Sequence, residues 1–233
     1  HSLIRYIIII MICGKISASR LTAKPACCSF LRRNNTNITH ERMSGLKRFY
    51  DIVGVCEVPD VSGQYNVLLD GKVLKSPARS SFNLPNKSIA SVIAAEWDAQ
   101  TNKKTGIQPT SMPFMTIAAT AVDQVVENRE FVENTCLSYL PSDTALFFNA
   151  EDDRLLLRKQ KQYFEPLIAW ANSHYNINLK VAYDSFGRLH HPEDTNAKIA
   201  DVLKSMDEFT LSCIQSVTME CKSLLMALAL LNG

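Results

Sequence analysis

The chain has 233 residues, of which 46% are hydrophobic, and its mean hydropathy is −0.04. This length and composition are typical of soluble proteins and allow a core in one or two domains. The formal charge of +2 is uneven, because residues 1–42 hold seven Lys or Arg and one acid, which leaves 18 basic and 22 acidic residues, a charge of −4, from Met43 onward. A nucleic-acid-binding protein usually keeps its basic residues on the folded body, so this distribution argues against a nucleic-acid partner.

Residues 1–44 are predicted to be a leader. From Met11 to about Ser44 the chain is rich in Ser, Thr, Asn and Arg and nearly free of acids, a composition typical of a mitochondrial transit peptide. A solvated disordered tail would have the same composition. A secretory signal also stays open, because Arg5 precedes the apolar run from Tyr6 to Ile12, which is shorter than the roughly 20 residues that span a bilayer. We expect a transit peptide or disordered leader and no membrane span.

Seven cysteines form no C-x-x-C pair and leave an odd count. This pattern favours free thiols in a reducing compartment over a disulfide framework. Cys213 and Cys221 lie in a helical apolar pattern and are predicted to be core residues.

Residues 45–113 are predicted to form a small antiparallel β domain covered by one helix. Asp70-Gly71 lies between alternating apolar residues, which predicts a tight hairpin turn with positive φ. A run through Val55, the run from Gln64 to Leu69 and a shorter run from Phe82 to Leu84 have strand character.

The helix that follows Pro85-Asn86 contains the most informative acid of the chain. The helical spacing places four apolar residues on one stripe: Ile89, Val92, Ile93 and Trp97. Glu96 falls inside that stripe, whereas Asp98 falls on the opposite, solvated face. Burial of an ionised carboxylate costs several kcal/mol unless it is paired or hydrogen-bonded. Glu96 must therefore be a satisfied core acid, have a raised pKa, or face another molecule.

Residues 114–233 are predicted to form an all-helical domain, so that the whole chain is of the α+β class. After a loop that ends at Pro113, a helix is expected from Phe114 onward to Pro141. Pro166 lies inside a later helical pattern and is expected to kink or restart that helix at Glu165. The buried face of that helix is predicted to contain Leu156, Tyr163, Phe164, Leu167 and Ala171.

The last helix is expected to run from about Phe209 to Leu231. From Leu224 to Leu231 it is apolar on almost every side, so it must be buried, yet the chain ends two residues later. We therefore expect the C-terminal domain to be incomplete, with further residues covering this helix. The protein would be monomeric at full length, and the 233-residue form would self-associate.

Motifs of catalysis and ligand binding are absent from the sequence. It has no G-x-G-x-x-G, no Walker loop and no G-x-S-x-G elbow. The run His190-His191 is predicted to lie in a solvated loop, because adjacent histidines point apart and no further ligand stands at metal-binding spacing. His174 is predicted to lie at a helix end, near the negative end of the helix dipole. We expect no cofactor, no metal and no catalytic residue.

The body of the chain resembles the mitochondrial ATP synthase assembly chaperones that handle the alpha subunit of the F-type catalytic sector, a family also found in some bacteria. The resemblance covers about Leu46 to the end, and these stretches carry it: R-F-Y at 48–50, L-D-G-K-V-L-K-S-P at 69–77, A-A-E-W-D-A-Q at 94–100, P-T-S-M-P at 109–113, A-A-T-A-V-D at 118–123, Y-F-E-P-L at 163–167 and W-A at 170–171. Members typically continue past the Leu-rich helix with an acidic, Trp-containing segment, and they more often have Cys-Tyr at the position of Phe147-Phe148.

The resemblance implies a β-rich domain followed by a helical one. It also implies a non-enzymatic chaperone of the mitochondrial matrix that holds the unassembled alpha subunit until the beta subunit replaces it. The residues it singles out, for client binding or for structure, are Glu96, Trp97, Asp98, Met112, Pro113 and Asp123.

Two other classes of function stay open from the residues alone. One is an enzyme that uses Glu96 as an acid or base in a polar pocket near Asp123 or His174. The other is an interaction module with a different matrix partner. An enzyme of this kind requires a concave polar site around Glu96. An interaction module is distinguished by which protein it captures from matrix extract.

Overall fold

The computed structural model describes residues 47–59, 61–100, 106–150, 154–185 and 187–232. The predicted leader over residues 1–44 lies outside these ranges. The chain divides into two compact units, one ending at Glu127 and the other beginning at Asn128. The first unit therefore includes residues 114–127, which the predicted boundary at 113 placed in the second domain.

A three-stranded antiparallel sheet forms the base of the N-terminal unit. Its strands are β1 (Val53–Glu57), β2 (Tyr65–Leu69) and β3 (Lys72–Val73), in the spatial order β1-β2-β3. Leu69 pairs with Lys72, so the β2–β3 turn has two residues, Asp70 and Gly71, with φ of 48° and 78°. Positive φ at both positions is what a type I′ turn requires, and the predicted hairpin is confirmed.

Two helices complete the N-terminal unit. Helix α1 (Lys87–Asp98) packs on β1 and β2, and helix α2 (Pro113–Thr120) packs against α1. The Asn86 side chain accepts a hydrogen bond from the backbone N–H of Ile89 at 2.9 Å, which caps the start of α1. The centre of this unit contains side chains that are fully buried, namely Val67, Phe82, Leu84, Ala90 and Ile93.

Helices dominate the C-terminal unit, which confirms the α+β class. They are α3 (Arg129–Leu137), α4 (Arg154–Tyr175), α5 (Glu193–Lys204), α6 (Glu208–Cys221) and α7 (Leu224–Asn232). Two short strands, β4 (Phe147–Phe148) and β5 (Ala182–Tyr183), pair in parallel. Helix α6 packs against α3 and α7, and nine of its fourteen residues are buried. Among the described residues, no helix has the length and apolarity to cross a membrane.

The prediction of one helix from Phe114 to Pro141 is wrong. After α2 the chain makes a π-helical turn over Ala121–Val125, and Asn128, with φ −130° and ψ 41°, leaves the helical conformation before α3 begins. A π turn accommodates one extra residue per turn, which sequence periodicity does not reveal.

Helix α4 passes through Pro166 without the predicted restart. Gln162, whose carbonyl oxygen loses its helical partner, is exposed together with Pro166, so water can satisfy that oxygen. The predicted buried face is also wrong in part. Leu157, Ile168 and Ala171 are buried, whereas Leu156 and Tyr163 are 42% and 66% exposed.

The predicted last helix is in fact two helices, α6 and α7. Lys222 adopts a left-handed conformation with φ of 55°, which ends α6, and the Ser223 hydroxyl accepts the backbone N–H of Met226 at 3.1 Å at the start of α7. Leu224, Leu225, Ala227 and Leu228 are buried, and none of the other residues of α7 is exposed. The expectation that the leucines of this helix lack cover is therefore wrong for the described chain.

Candidate functional site

Glu96 lies on α1 with its carboxylate directed at the N-terminus of α2. Oε1 accepts the backbone N–H of Phe114 and Oε2 accepts that of Met115, both at 2.8 Å. These N–H groups belong to the first turn of α2, which has no intrahelical acceptors for them. The positive end of the helix dipole also favours a carboxylate there. Glu96 is thus a hydrogen-bonded acid that joins two helices, which is the first of the three alternatives that the sequence left open.

Burial raises the pKa of Glu96 from 4.5 to about 7, although the hydrogen bonds from Phe114 and Met115 act in the opposite direction. Such a pKa would suit an acid or base in catalysis. However, each carboxylate oxygen already accepts a backbone N–H, so this arrangement serves to fix α2 on α1.

Gln100, two residues beyond α1, holds the segment that leads to α2. Its Nε2 donates to the carbonyl oxygen of Glu96 at 3.1 Å and to the hydroxyl of Ser111 at 3.0 Å, and its Oε1 accepts the N–H of Gln108 at 2.9 Å. Gln100 is the last residue of the A-A-E-W-D-A-Q motif, and it is not among the residues selected from the sequence. Gln100 follows the end of α1 and precedes Gly106 and Pro109, a pattern that is typical of a loop. This pattern does not indicate that the Gln100 side chain makes three hydrogen bonds.

Trp97 is buried, with 3% of its surface exposed, which confirms its assignment to the core. Its ring meets the ring of Tyr50 edge-on at 5.5 Å between centroids, and the Tyr50 hydroxyl donates to the Trp97 carbonyl oxygen at 2.8 Å. The indole N–H is buried and lacks a hydrogen-bond partner within the described chain.

Asp98 is exposed, as its helical position predicts, and pairs with Arg48 at 3.1 Å. Arg48 also donates to the backbone carbonyl oxygens of Tyr50, Asp51 and Asp98, and its guanidinium lies 4.7 Å from the centre of the Tyr50 ring. Arg48 therefore ties the segment before β1 to the end of α1.

Asp123 lies in the π-helical turn after α2. Its Oδ2 accepts the backbone N–H of Ala78 at 3.0 Å, 45 residues away, and its Oδ1 is buried without a partner in the described chain. Met112 is fully buried, and Pro113 is exposed at the first position of α2, where its missing N–H costs nothing. The structure thus places all six predicted residues in the N-terminal unit, and Glu96, Trp97, Met112 and Asp123 make internal contacts.

Asp143 in the C-terminal unit has the same structural role as Glu96, and it is not among the residues selected from the sequence. It is fully buried, its Oδ1 accepts the N–H of Ala145 at 3.0 Å, and its Oδ2 accepts the N–H of Leu225, in the first turn of α7, at 3.0 Å. Burial raises the pKa of Asp143, against the effect of these hydrogen bonds.

The three histidines that the structure describes lie in different surroundings. His190 is exposed, but His191 is buried between the N–H of Lys180 and the carbonyl oxygen of Leu140, each at 3.2 Å, so the prediction of a solvated loop is wrong for His191. His174 is exposed and stacks on Trp170 near the end of α4. No group of three metal-binding side chains occurs in the part of the chain that the structure describes.

The family model described as ATP12 chaperone protein matches residues 47–172, which is more than half of the chain. This match includes every contact of Glu96 and the other five selected residues. The chain belongs to the ATP12 chaperone family.

Solved ATP12 structures have the same fold. Atp12 from Paracoccus denitrificans is 26% identical to this chain, with a TM-score of 0.70, and the similarity covers 79% of this chain and 76% of that one. A point mutant of P. denitrificans Atp12p gives 26% identity, the same TM-score, and coverage of 79% and 75%. The Atu1473 protein of Agrobacterium tumefaciens is 27% identical at a TM-score of 0.70, with coverage of 78% and 66%.

Membership of the ATP12 family supports the role of an assembly chaperone for this chain. The internal contacts explain why the motifs E-W-D and M-P occur together. Glu96 of E-W-D accepts the N–H groups of Phe114 and Met115, directly after Met112-Pro113. Gln100, two residues after E-W-D, donates to the hydroxyl of Ser111, directly before Met112-Pro113. Much of what the resemblance singled out is therefore the framework of the N-terminal unit, and a client surface has to be sought among exposed residues.

Proposed function

We propose that this chain is a mitochondrial matrix chaperone that binds the unassembled alpha subunit of the F-type ATP synthase and promotes assembly of the catalytic sector. The observation that carries this proposal is the ATP12 family match over residues 47–172. The transit-like composition of the leader supports the location. In this proposal the chaperone acts as a monomer and releases the alpha subunit when the beta subunit replaces it.

Exposed apolar side chains support a chaperone role. In the N-terminal unit Phe49 and Ile52 are 67% and 71% exposed, and in the C-terminal unit Leu155 and Tyr163 are 69% and 66% exposed. A subunit surface that is buried in the assembled enzyme is partly apolar, and covering it until assembly prevents aggregation.

The direct test is capture from mitochondrial matrix extract with the immobilised protein. We expect the alpha subunit to be enriched over the beta subunit and over bulk matrix protein, and a purified alpha subunit to bind in a defined complex. Addition of purified beta subunit should release it. If the alpha subunit is not enriched, this proposal fails, and the proteins that are captured instead identify the partner of a different interaction module.

The hydrogen bonds of Glu96 also support a chaperone over the rival enzyme. A general acid or base must reach a substrate proton, whereas both oxygens of this carboxylate are engaged with Phe114 and Met115. If Glu96→Gln abolished capture of the alpha subunit without loss of folding, a direct role of this acid in function would have to be reconsidered.

A further inference from the structure

The segment from Gly71 to Ala95 is the longest basic stretch without an acid between Met43 and the end of the N-terminal unit. It contains Lys72, Lys75, Arg79 and Lys87 and no acid, whereas the body from Met43 onward has a net charge of −4. The remainder of the body therefore carries −8. A cluster of one sign on a protein of the opposite sign creates a local field that can orient a charged partner.

Three of these cations lie on one short arm, residues 72–81, which follows the Asp70-Gly71 turn. Lys72, Lys75 and Arg79 are exposed, and Val73 between them is 48% exposed. None of the three forms an ion pair with the described residues. The nearest acid in sequence, Asp70, lies close enough to Lys72 to sense its charge, but its Oδ1 accepts the N–H groups of Asp51 and Ile52.

The arm is held in one conformation. Leu74, Ser76 and Phe82 are buried and anchor it, and a bridge pairs Lys75 with Ser81. The Ser76 hydroxyl accepts the N–H of Ser80 at 2.9 Å.

Asp123 secures the arm from the π-helical turn, since its Oδ2 accepts the N–H of Ala78 at 3.0 Å. A surface that is rigid before binding loses less conformational entropy when a partner docks.

Arg79 occupies the tip of the arm in a strained conformation. Its φ of 71° lies in the left-handed region, which a residue other than Gly, Asn or Asp seldom adopts. Its N–H donates to the Ser76 carbonyl oxygen at 2.8 Å, so the turn itself needs only the backbone and not the side chain. Glycine would adopt this conformation with less strain than Arg. Strain at an exposed residue is a reason to look for a function of its side chain.

We propose that the arm of residues 72–81 is a docking surface for an acidic patch on the client protein. The inference rests on the proposed function, because the client is taken to be the alpha subunit. A folded protein with a localised acidic patch fits better than a nucleic acid or a lipid surface, since the remaining body charge of −8 would repel an extended polyanion. Exposed charges at an interface act mainly on the association rate and on salt dependence.

The test compares charge reversals at matched positions in the full chain, with purified alpha subunit as the probe. K72E/K75E/R79E is expected to raise the Kd for the alpha subunit by ~10-fold at 50 mM salt, mainly through slower association, and by much less at 300 mM salt. The control variant R154E/K159E/K204E reverses three exposed cations of the C-terminal unit. This control has the same net charge and should leave the Kd within about twofold of wild type.

A second variant separates the side chain of Arg79 from its backbone conformation. Arg79→Gly removes the charge and relieves the strain, so we expect a slightly higher Tm together with a Kd about threefold weaker at low salt. Arg79→Lys should bind almost as well as wild type. A purely structural residue would show the rise in Tm without the change in Kd.

The outcomes distinguish the inference from the proposed function. If wild-type protein does not bind the alpha subunit, the proposed function fails. If wild type binds and the arm reversal leaves the Kd unchanged, or weakens it no more than the control reversal, the docking surface is wrong and the function stands. The docking surface would also be wrong if K72E/K75E/R79E weakened binding to anionic vesicles or to DNA but left the Kd for the alpha subunit unchanged.

Discussion

The partly buried carboxylate of Glu96 and the fully buried carboxylate of Asp143 have the same structural role in their own units. Glu96 receives the first N–H groups of α2, and Asp143 receives that of Leu225 at the start of α7. Each acid loses hydration on burial, and each recovers part of that loss from unpaired N–H groups at a helix N-terminus. Such an acid needs no ligand or substrate to explain its burial.

The pH dependence of stability provides a test of the Glu96 assignment. Because the pKa of Glu96 in the folded state, about 7, is above its ordinary value of 4.5, the folded state binds more protons between these values than the unfolded state does. Stability should therefore fall as pH rises from 4.5 to about 7, by up to about 3 kcal/mol from this group. Urea unfolding of wild type and Glu96→Gln at several pH values isolates this contribution.

The comparison of the two proteins removes the effects of other groups that titrate in both, such as Asp143 and His191. The free-energy advantage of wild type over Glu96→Gln should shrink as pH increases through this range. A constant difference between pH 5 and pH 8 would mean that Glu96 has an ordinary pKa.

The burial of Trp97 predicts that this side chain is important for stability. Trp97→Ala should cost ~3–5 kcal/mol, the range for removal of a large buried aromatic side chain. Out of a typical total of ~5–15 kcal/mol, this loss could unfold the N-terminal unit. Trp97→Phe should cost less, because it keeps much of the packing and removes an indole N–H that has no partner in the described chain. Thermal unfolding of both variants measures the difference, and an unchanged Tm for Trp97→Ala would contradict the observed burial.

The elements differ in how far sequence alone determines them. The hairpin turn depends on two adjacent residues, Asp70 and Gly71, which are of types that adopt positive φ readily. The burial of Trp97 depends on the helical spacing of apolar residues in α1. Both were predicted. The exposure of Asp98 follows from the same helical spacing, whereas its pairing with Arg48, 50 residues away, does not.

Breaks between helices could not be predicted in the same way. Lys222 ends α6 in a left-handed conformation, which Gly or Asn usually adopts at the end of a helix. Because Lys stands there instead, the sequence from Phe209 to Leu231 does not indicate that the helix ends at this position. Asp143, which accepts the N–H of Leu225 in the first turn of α7, lies 82 positions before Leu225 in the chain. Contacts of this kind depend on tertiary structure, which a single sequence does not reveal.

Removal of the Asp143 side chain tests this long-range connection. Asp143→Ala leaves the buried N–H groups of Ala145 and Leu225 without acceptors, and each should cost about 1–3 kcal/mol. Asp207→Ala is the matched control, because Asp207 is exposed and caps α6 locally through Phe209 and Thr210, a role worth ~0.5–2 kcal/mol. Urea unfolding should show the larger loss for Asp143→Ala. Equal losses would mean that water replaces the missing acceptor.

At the scale of the whole molecule, the chain consists of two units that each have their own buried core. Compact units of this size commonly fold alone. We expect residues 47–127 to give a cooperative urea transition and a fixed near-ultraviolet circular dichroism signal from Trp97. Introduction of Trp97→Ala into this fragment should abolish both. A fragment without a cooperative transition would show that the first unit depends on the second.

The 82-residue separation of Asp143 and Leu225 also affects events at the ribosome. The hydrogen-bond network of the N-terminal unit is closed by residues no more than 50 positions apart, so it can form while the second half of the protein is still being made. The Oδ2 of Asp143, in contrast, gains its hydrogen bond only after Leu225, 82 positions later, has been synthesised. When Glu127 has just emerged from the ribosome, the N-terminal unit should therefore already resist protease, while the C-terminal unit stays cleavable at least until Leu225 has emerged.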